Sequence, residues 1–110
     1  MDNLTLKKWL KEIKKYYECL MYIKTHNYKG KPVVQDDFFD RLIKVNDIML
    51  IAPKIYLELY VGIYCNGKTI KDLAKELGYS RAHLHRLIKK FEEYLLENLN
   101  ERIKIDKDLS

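Results

Sequence analysis

The chain has 110 residues, of which 47% are apolar and 34% are charged, and its formal net charge is +5. This length fits one domain with a single core, and the positive charge favours a polyanionic partner. No apolar run reaches about 18 residues, the length that a membrane span needs, and lysines interrupt the N-terminus where a signal peptide would be apolar. We therefore expect a cytoplasmic protein with no membrane partner.

The sequence also lacks the residue patterns of common enzymes. Its two cysteines, Cys19 and Cys65, form no C-x-x-C pair and no disulfide framework. The three histidines have no metal-binding spacing, and no phosphate-binding, dinucleotide-binding or nucleophile-elbow motif occurs. We therefore expect neither catalysis nor a cofactor.

The first predicted element is an amphipathic helix over residues 4–24, capped by Asn3 or Thr5. Its apolar residues have a heptad-like spacing and are Trp9, Ile13, Tyr16, Leu20 and Ile23. Its other side is rich in lysine, since the first 34 residues contain eight basic and three acidic residues. We expect the apolar stripe to pack in the core. A dimer seam, or a second contact with a DNA backbone, is the alternative for this helix.

A loop containing Gly30 and Pro32 precedes a second predicted helix over residues 35–50. The apolar residues of this helix recur at helical spacing and are Phe38, Phe39, Leu42, Ile43 and Ile48. Its opening is acidic, with Asp36, Asp37 and Asp40. Acids suit the positive end of a helix dipole. The alternative is the paired-carboxylate metal site of a nuclease, for which no second group of ligands is evident.

Residues 54–64 are apolar on nearly all sides, which predicts the buried central helix of a small bundle. Pro53 suits the first turn of this helix, and the residues Cys65, Asn66 and Gly67 suit its C-terminal end. A strand is the competing prediction, because the segment is rich in β-branched and aromatic residues. No partner strand is evident, so we expect the helix.

Residues 69–91 predict two helices joined by a turn at Gly78, Tyr79 and Ser80. The apolar stripe of the first helix is Ile70, Leu73, Ala74 and Leu77, and that of the second is Leu84, Leu87, Ile88 and Phe91. Thr69 and Ser80 are suitable N-caps, and Gly78 tolerates the positive φ that often ends a helix. The short turn forces the two helices to pack directly, as in a helix-turn-helix.

The second of these helices has a basic outer face. Residues 67–91 contain seven basic and two acidic residues, and both acids lie on the first helix. A small residue at Ala82 permits close approach, and Arg86 can donate two parallel hydrogen bonds to guanine. Lysines and helix N-termini suit phosphates. The candidate DNA-contacting residues are Lys68, Thr69, Lys71, Ser80, Arg81, Ala82, His85, Arg86, Lys89 and Lys90.

The apolar stripe continues past Phe91 through Leu95 and Leu99, so the last helix can reach about 20 residues, or roughly 30 Å. Its later part carries several glutamates, which phosphates would repel. We expect this part to pack on the first helix, with dimerisation as the second possibility.

The segment TIKDLAKELGYSRAHLHRLIKKFEEYL resembles region 4 of bacterial sigma-70-type factors, and it is most similar to the stand-alone region-4-like proteins of phages. The resemblance covers residues 54–95. It implies that the helix after Ser80 lies in the major groove and reads bases with Arg81, Ala82, His85 and Arg86. Ala82 stands where the family often has Glu, and His85 and Arg86 stand where Arg and Gln are usual. The target is therefore not expected to be a standard promoter −35 element.

Together these patterns predict one all-α domain over residues 1–110, with four to five helices. Residues 1–52 form supporting helices, and residues 53–99 form a sigma-region-4-like helix-turn-helix unit. The expected function is sequence-specific binding of double-stranded DNA by a phage or prophage transcription regulator, with RNA polymerase as a further partner and a homodimer left open. The alternatives are the small, DNA-recognising subunit of a phage packaging terminase and a module that binds RNA polymerase or a sigma factor.

Overall fold

The computed structural model describes residues 1–109, with side chains through residue 105, and the described chain contains five α-helices and no strand. The helices are α1 (Asn3–Thr25), α2 (Phe38–Leu50), α3 (Lys54–Leu59), α4 (Ile70–Leu77) and α5 (Arg81–Leu109). A π-helical segment, Tyr60–Cys65, continues α3 without a break. The predicted all-α bundle is confirmed. Within the described residues, no helix is both long and apolar enough to cross a membrane.

Helix α1 forms much as its sequence pattern indicates, but its cap is a different residue. The side chain of Asp2 accepts a hydrogen bond of 2.8 Å from the Thr5 backbone N–H, so the predicted caps Asn3 and Thr5 were wrong. A hydrogen bond with the Thr5 side chain, together with this backbone bond, lowers the pKa of the Asp2 carboxyl. The side chains of Leu6, Leu10 and Ile13 are almost fully buried. Of the predicted stripe, Ile13 is buried and Trp9 and Tyr16 pack against the core, whereas Leu20 and Ile23 do not belong to the core cluster.

Helix α2 begins three residues later than predicted, and only some of its regularly spaced apolar residues are buried. Asp37 has a left-handed backbone with φ of 67° just before the first helical residue. The buried side chains are Phe38, Leu42, Val45, Ile48 and Met49. Phe39 and Ile43, which also recur at helical spacing, are 50% and 57% exposed. Two apolar stripes run along this helix, and packing buries only one of them.

The π-helical segment after α3 lies at the centre of the bundle. Leu59, Tyr60 and Ile63 are buried there, as expected for a central helix. The Tyr60 hydroxyl donates a hydrogen bond of 2.7 Å to Asn46 Oδ1, which satisfies a polar group inside the core. Burial raises the pKa of the Tyr60 phenol well above its usual value, and burial also raises the pKa of Tyr64 to about 12.

Helix α5 has 29 residues, clearly more than the sequence pattern indicated. Leu84, Phe91, Leu95 and Leu99 are no more than 1% exposed and contact the other helices in one continuous core. The later part of α5 packs on α2 as well as on the start of α1. Two polar contacts support this packing: the Met1 ammonium donates to Asn100 Oδ1 at 2.8 Å, and Arg102 lies 3.5 Å from Asp47.

The stripe of α5 supplies a direct test of this packing. Leu95→Ala is expected to lower the free energy of unfolding by about 2–5 kcal/mol, because it leaves a cavity in the core. Leu50→Ala makes the same change at a side chain that is 77% exposed, and it should alter stability by no more than about 0.5 kcal/mol. Urea unfolding of both variants gives the comparison, and equal losses would contradict the assigned core.

Candidate nucleic-acid interface

A tightly hydrogen-bonded corner joins α4 to α5. The Thr69 hydroxyl accepts from the Asp72 N–H at 3.1 Å, and this bond caps the start of α4. At the end of α4, Gly78 has φ of 74°, its N–H donates to the Lys75 carbonyl, and the Tyr79 N–H donates to the Ala74 carbonyl at 2.9 Å. These two hydrogen bonds form a Schellman motif. The predicted Thr69 cap and the left-handed Gly78 are confirmed.

The start of α5 is capped in turn. The Ser80 hydroxyl accepts from the His83 N–H at 3.1 Å, and the Ser80 carbonyl accepts from the Leu84 N–H at 3.0 Å. Leu84 is fully buried and anchors the first turn to the core. The Tyr79 ring lies edge-on to the His83 ring with centroids 4.7 Å apart, so His83 packs beside the turn. These contacts together restrict the conformation of the turn between α4 and α5.

The π-helical segment supports this corner from the inside. Gly62 is buried, and a Cβ placed there would lie 3.0 Å from Leu73 Cδ1 of α4. Because Gly62 has no side chain, the backbone of the π-helical segment can lie close to α4. Ala74, the next residue of α4, is also buried in the core. The corner is packed on the bundle through both of its helices.

The basic side chains at the start of α5 point to solvent. The exposed predicted site residues of this helix are Arg81, Ala82, His85, Arg86, Lys89 and Lys90. At about 100° per residue, Ala82, Arg86 and Lys89 lie opposite the buried Leu84. Arg81 and His85 lie on the flank of that face. In the described part of the chain, none of the arginines and lysines of this set takes part in an ion pair.

The remaining predicted site residues lie around the start of α4 and at the turn. They differ in how free their polar groups are to contact another molecule. Lys71 and Thr69 are exposed, as is Ser80 across the turn. The hydroxyls of Thr69 and Ser80 accept capping bonds, but each retains its own hydrogen for an outside acceptor. Lys68 is different, because its Nζ lies 2.7 Å from Glu76 Oε2. This ion pair ties the preceding loop to α4.

One neighbour of this face could not be anticipated from local sequence. The N-terminal part of α1 runs beside α5, and Asn3 and Lys7 line the same open groove as His85 and Lys89. These residues are about eighty positions apart in the chain, and no local pattern relates them. The sequence led us to expect the last helix to pack on the first, but not that this packing brings Lys7 beside His85.

At the acidic start of α2, Asp40 lies in the first turn and the N-cap Asp37 makes no side-chain capping bond. Arg41 Nη1 donates to the Asp36 carbonyl at 3.2 Å, and Asp37 takes the left-handed position before the helix. Within the described residues, no group of three or more His, Cys, Asp or Glu side chains is placed to hold a metal ion. Both cysteines are free thiols. Burial raises the pKa of the Cys65 thiol.

Comparisons of the chain with protein-family models, with curated proteins and with solved structures find no match.

The corner predicts a specific sensitivity at Gly78. Gly78→Ala should lower the free energy of unfolding by about 1–2 kcal/mol, because a Cβ is disfavoured in the left-handed region. Gly78→Asn should lose less, since asparagine tolerates this conformation. Urea midpoints of the two variants and the parent test this order. An alanine variant as stable as the parent would mean that the turn differs in solution.

Proposed function

We propose that this protein binds double-stranded DNA sequence-specifically, with the start of α5 in the major groove and α4–turn–α5 acting as a helix-turn-helix. One observation carries the proposal. The exposed side of the first turns of α5 combines small, cationic and hydrogen-bonding side chains, while the opposite side is anchored by Leu84. A rigid helix with such a face has the shape and the charge that a major groove accepts.

Each side chain of this face has a defined role. Ala82 leaves space for the helix to approach the base edges. Arg86 donates two parallel hydrogen bonds to a guanine, and Arg81 and His85 contact neighbouring bases from the flank. Lys89 and Lys90 neutralise phosphates, which raises affinity for any sequence. Affinity and specificity therefore come from different residues of the same helix.

The corner supplies further contacts with the backbone of the duplex. The exposed Thr69 and Ser80 hydroxyls stand at helix N-termini, where the dipole favours an anion. Lys71 adds a positive charge in the first turn of α4. Lys68 contributes less, because Glu76 already balances its charge at 2.7 Å.

The groove contact ends within α5. Beyond Phe91 the outer face carries carboxylates, including the exposed Glu93, Glu97 and Glu101. Phosphates repel these groups, so only about the first ten residues of the helix lie against DNA. The later part is anchored to α1 and α2 and holds the reading end in place. This arrangement suits a small cytoplasmic transcription regulator of phage or prophage type.

A second candidate function, a module that binds RNA polymerase or a sigma factor, is favoured by the outer side of α2. Phe39, Ile43 and Leu50 recur at helical spacing there and are 50%, 57% and 77% exposed. An exposed apolar stripe of this kind suits a protein partner. It lies on a different helix from the basic face, so the two functions are compatible in one regulator.

Substitutions of a base-reading and of a phosphate-contacting side chain of α5 separate specificity from affinity. On a duplex selected from a random pool, Arg86→Ala should cost about 1–3 kcal/mol and relax the choice of base. Lys89→Ala should weaken binding to all sequences and lower the slope of log K against log salt by about one unit.

Lys24→Ala is the matched control, because Lys24 is an exposed lysine near the C-terminal end of α1. It should leave both the affinity and the salt slope unchanged. If Arg86→Ala and Lys89→Ala bind the selected duplex as the parent does, the assigned face is wrong.

The mass of the protein in solution distinguishes the regulator from the small subunit of a packaging terminase. Packaging subunits of this class form rings, whereas a regulator of this size is expected to be a monomer or a dimer. Light scattering measures the mass directly, and a ring-sized assembly would favour the packaging function.

A further inference from the structure

A row of lysines runs along the outer flank of α1. Lys7, Lys11 and Lys14 are spaced by four and three residues, which places them on one side of the helix. Lys7 and Lys11 are exposed and Lys14 is half-buried, while the apolar side of α1 is turned into the core. We call Lys7, Lys11 and Lys14 the α1 lysine row. None of them forms an ion pair within the described residues.

The acid nearest to the row in sequence is engaged elsewhere. Glu12 Oε2 lies 2.9 Å from Arg41 Nη2, and the two side chains are only 23% and 17% exposed. This pair ties α1 to α2, and it draws the Glu12 carboxylate away from the lysine side. The positive charge of the row is therefore not balanced by the acid within its own stretch of helix.

The row begins beside the face proposed to read DNA. Lys7 lines one open groove with His85 and Lys89. All three lysines of the row line a second open groove, which Tyr64 and Glu92 also border. Because Lys7 belongs to both grooves, the α1 lysine row adjoins the start of α5. Glu92 lines both grooves and Glu93 lines the first, and these acids limit the attraction where the two helices cross.

We propose that the α1 lysine row is a second, sequence-independent contact with the same DNA duplex, on the sugar-phosphate backbone that flanks the groove entered by α5. This inference rests on the proposed function. From the first to the last lysine the row extends about 10 Å at about 1.5 Å per residue. Phosphates of one strand recur about every 3.4 Å along the duplex, so the row matches about three of them.

The same helix is poorly suited to the surface of an anionic membrane. A helix that lies in a bilayer interface inserts its apolar side among the lipids. In α1 that side contains Leu6, Leu10 and Ile13, which are at most 2% exposed because the core covers them. A nucleic-acid backbone requires only the charges, and these remain accessible.

The test compares two variants of the full chain that lose the same charge. The row variant carries Lys7→Gln, Lys11→Gln and Lys14→Gln, and the control carries Lys24→Gln, Lys29→Gln and Lys31→Gln. The control lysines are exposed and lie at the far end of α1 and in the loop that follows. Glutamine keeps a high helix propensity, and circular dichroism with urea unfolding establishes that both variants are folded.

Binding is measured at several salt concentrations on the duplex selected by the parent and on an unrelated duplex. The row variant should lower the slope of log K against log salt by about two to three units, since each phosphate contact contributes about 0.9. Its affinity for both duplexes should fall by the same factor, so that the preference for the selected site is retained. The control should keep a slope within about half a unit of that of the parent.

Trimming the selected duplex one base pair at a time from each end locates the contact. When the flank that contacts the row is trimmed, the affinity of the parent should fall to that of the row variant. The affinity of the row variant should not change, because it has already lost this contact. Equal losses for parent and row variant on both flanks would overturn the inference. So would a row variant with the slope of the parent, or a control with the slope of the row variant.

The outcomes also distinguish this inference from the function on which it rests. A parent that selects a duplex, together with a row variant that binds it equally well, overturns the inference alone. A parent that binds no duplex at low salt overturns both. Lysine-dependent binding to vesicles with anionic lipid, in the absence of lysine-dependent binding to DNA, also overturns the inference in favour of a membrane contact.

Discussion

Burial of one side of α5 is the interaction on which the rest of the fold depends. Leu84, Phe91, Leu95 and Leu99 are no more than 1% exposed and extend over about four turns. Near the start of the helix this stripe holds the corner with α4, and towards its end it holds α1 and α2. A helix anchored over such a length cannot tilt at one end alone. The exposed cations of its first turns therefore keep a fixed orientation relative to the bundle.

The features of the fold that could be predicted are those that short-range chemistry determines. Thr69 and Gly78 act within three or four residues of themselves, and their roles follow from capping bonds and from allowed φ values. Helix α2 shows where prediction from short-range chemistry fails. Its residues Phe38 and Leu42 have the same spacing as Phe39 and Ile43, so periodicity predicts two apolar sides and cannot choose between them. The choice is made by tertiary packing, which also determines the π-helical segment and the length of α5.

The candidate site likewise has some features that the sequence predicts and others that depend on tertiary packing. The exposure of Arg86 and Lys89 follows from helical periodicity and the buried position of Leu84. The pairing of Lys68 with Glu76 depends on how the loop meets α4, and a sum of formal charges does not contain this information. The position of Lys7 beside His85 depends on how two helices at opposite ends of the chain cross. Sequence therefore indicated the composition of the surface, whereas its extent depends on tertiary packing.

The close approach at Gly62 has a consequence for the whole corner. A Cβ at this position would lie 3.0 Å from Leu73 Cδ1, which is tighter than ordinary van der Waals contact. A larger residue there requires the end of the Leu73 side chain to give way by a few tenths of an ångström. The contact between the central segment and α4 is thus linked to the absence of a single methyl group in the interior. A buried position with no side chain of its own helps to set how closely the corner packs on the bundle.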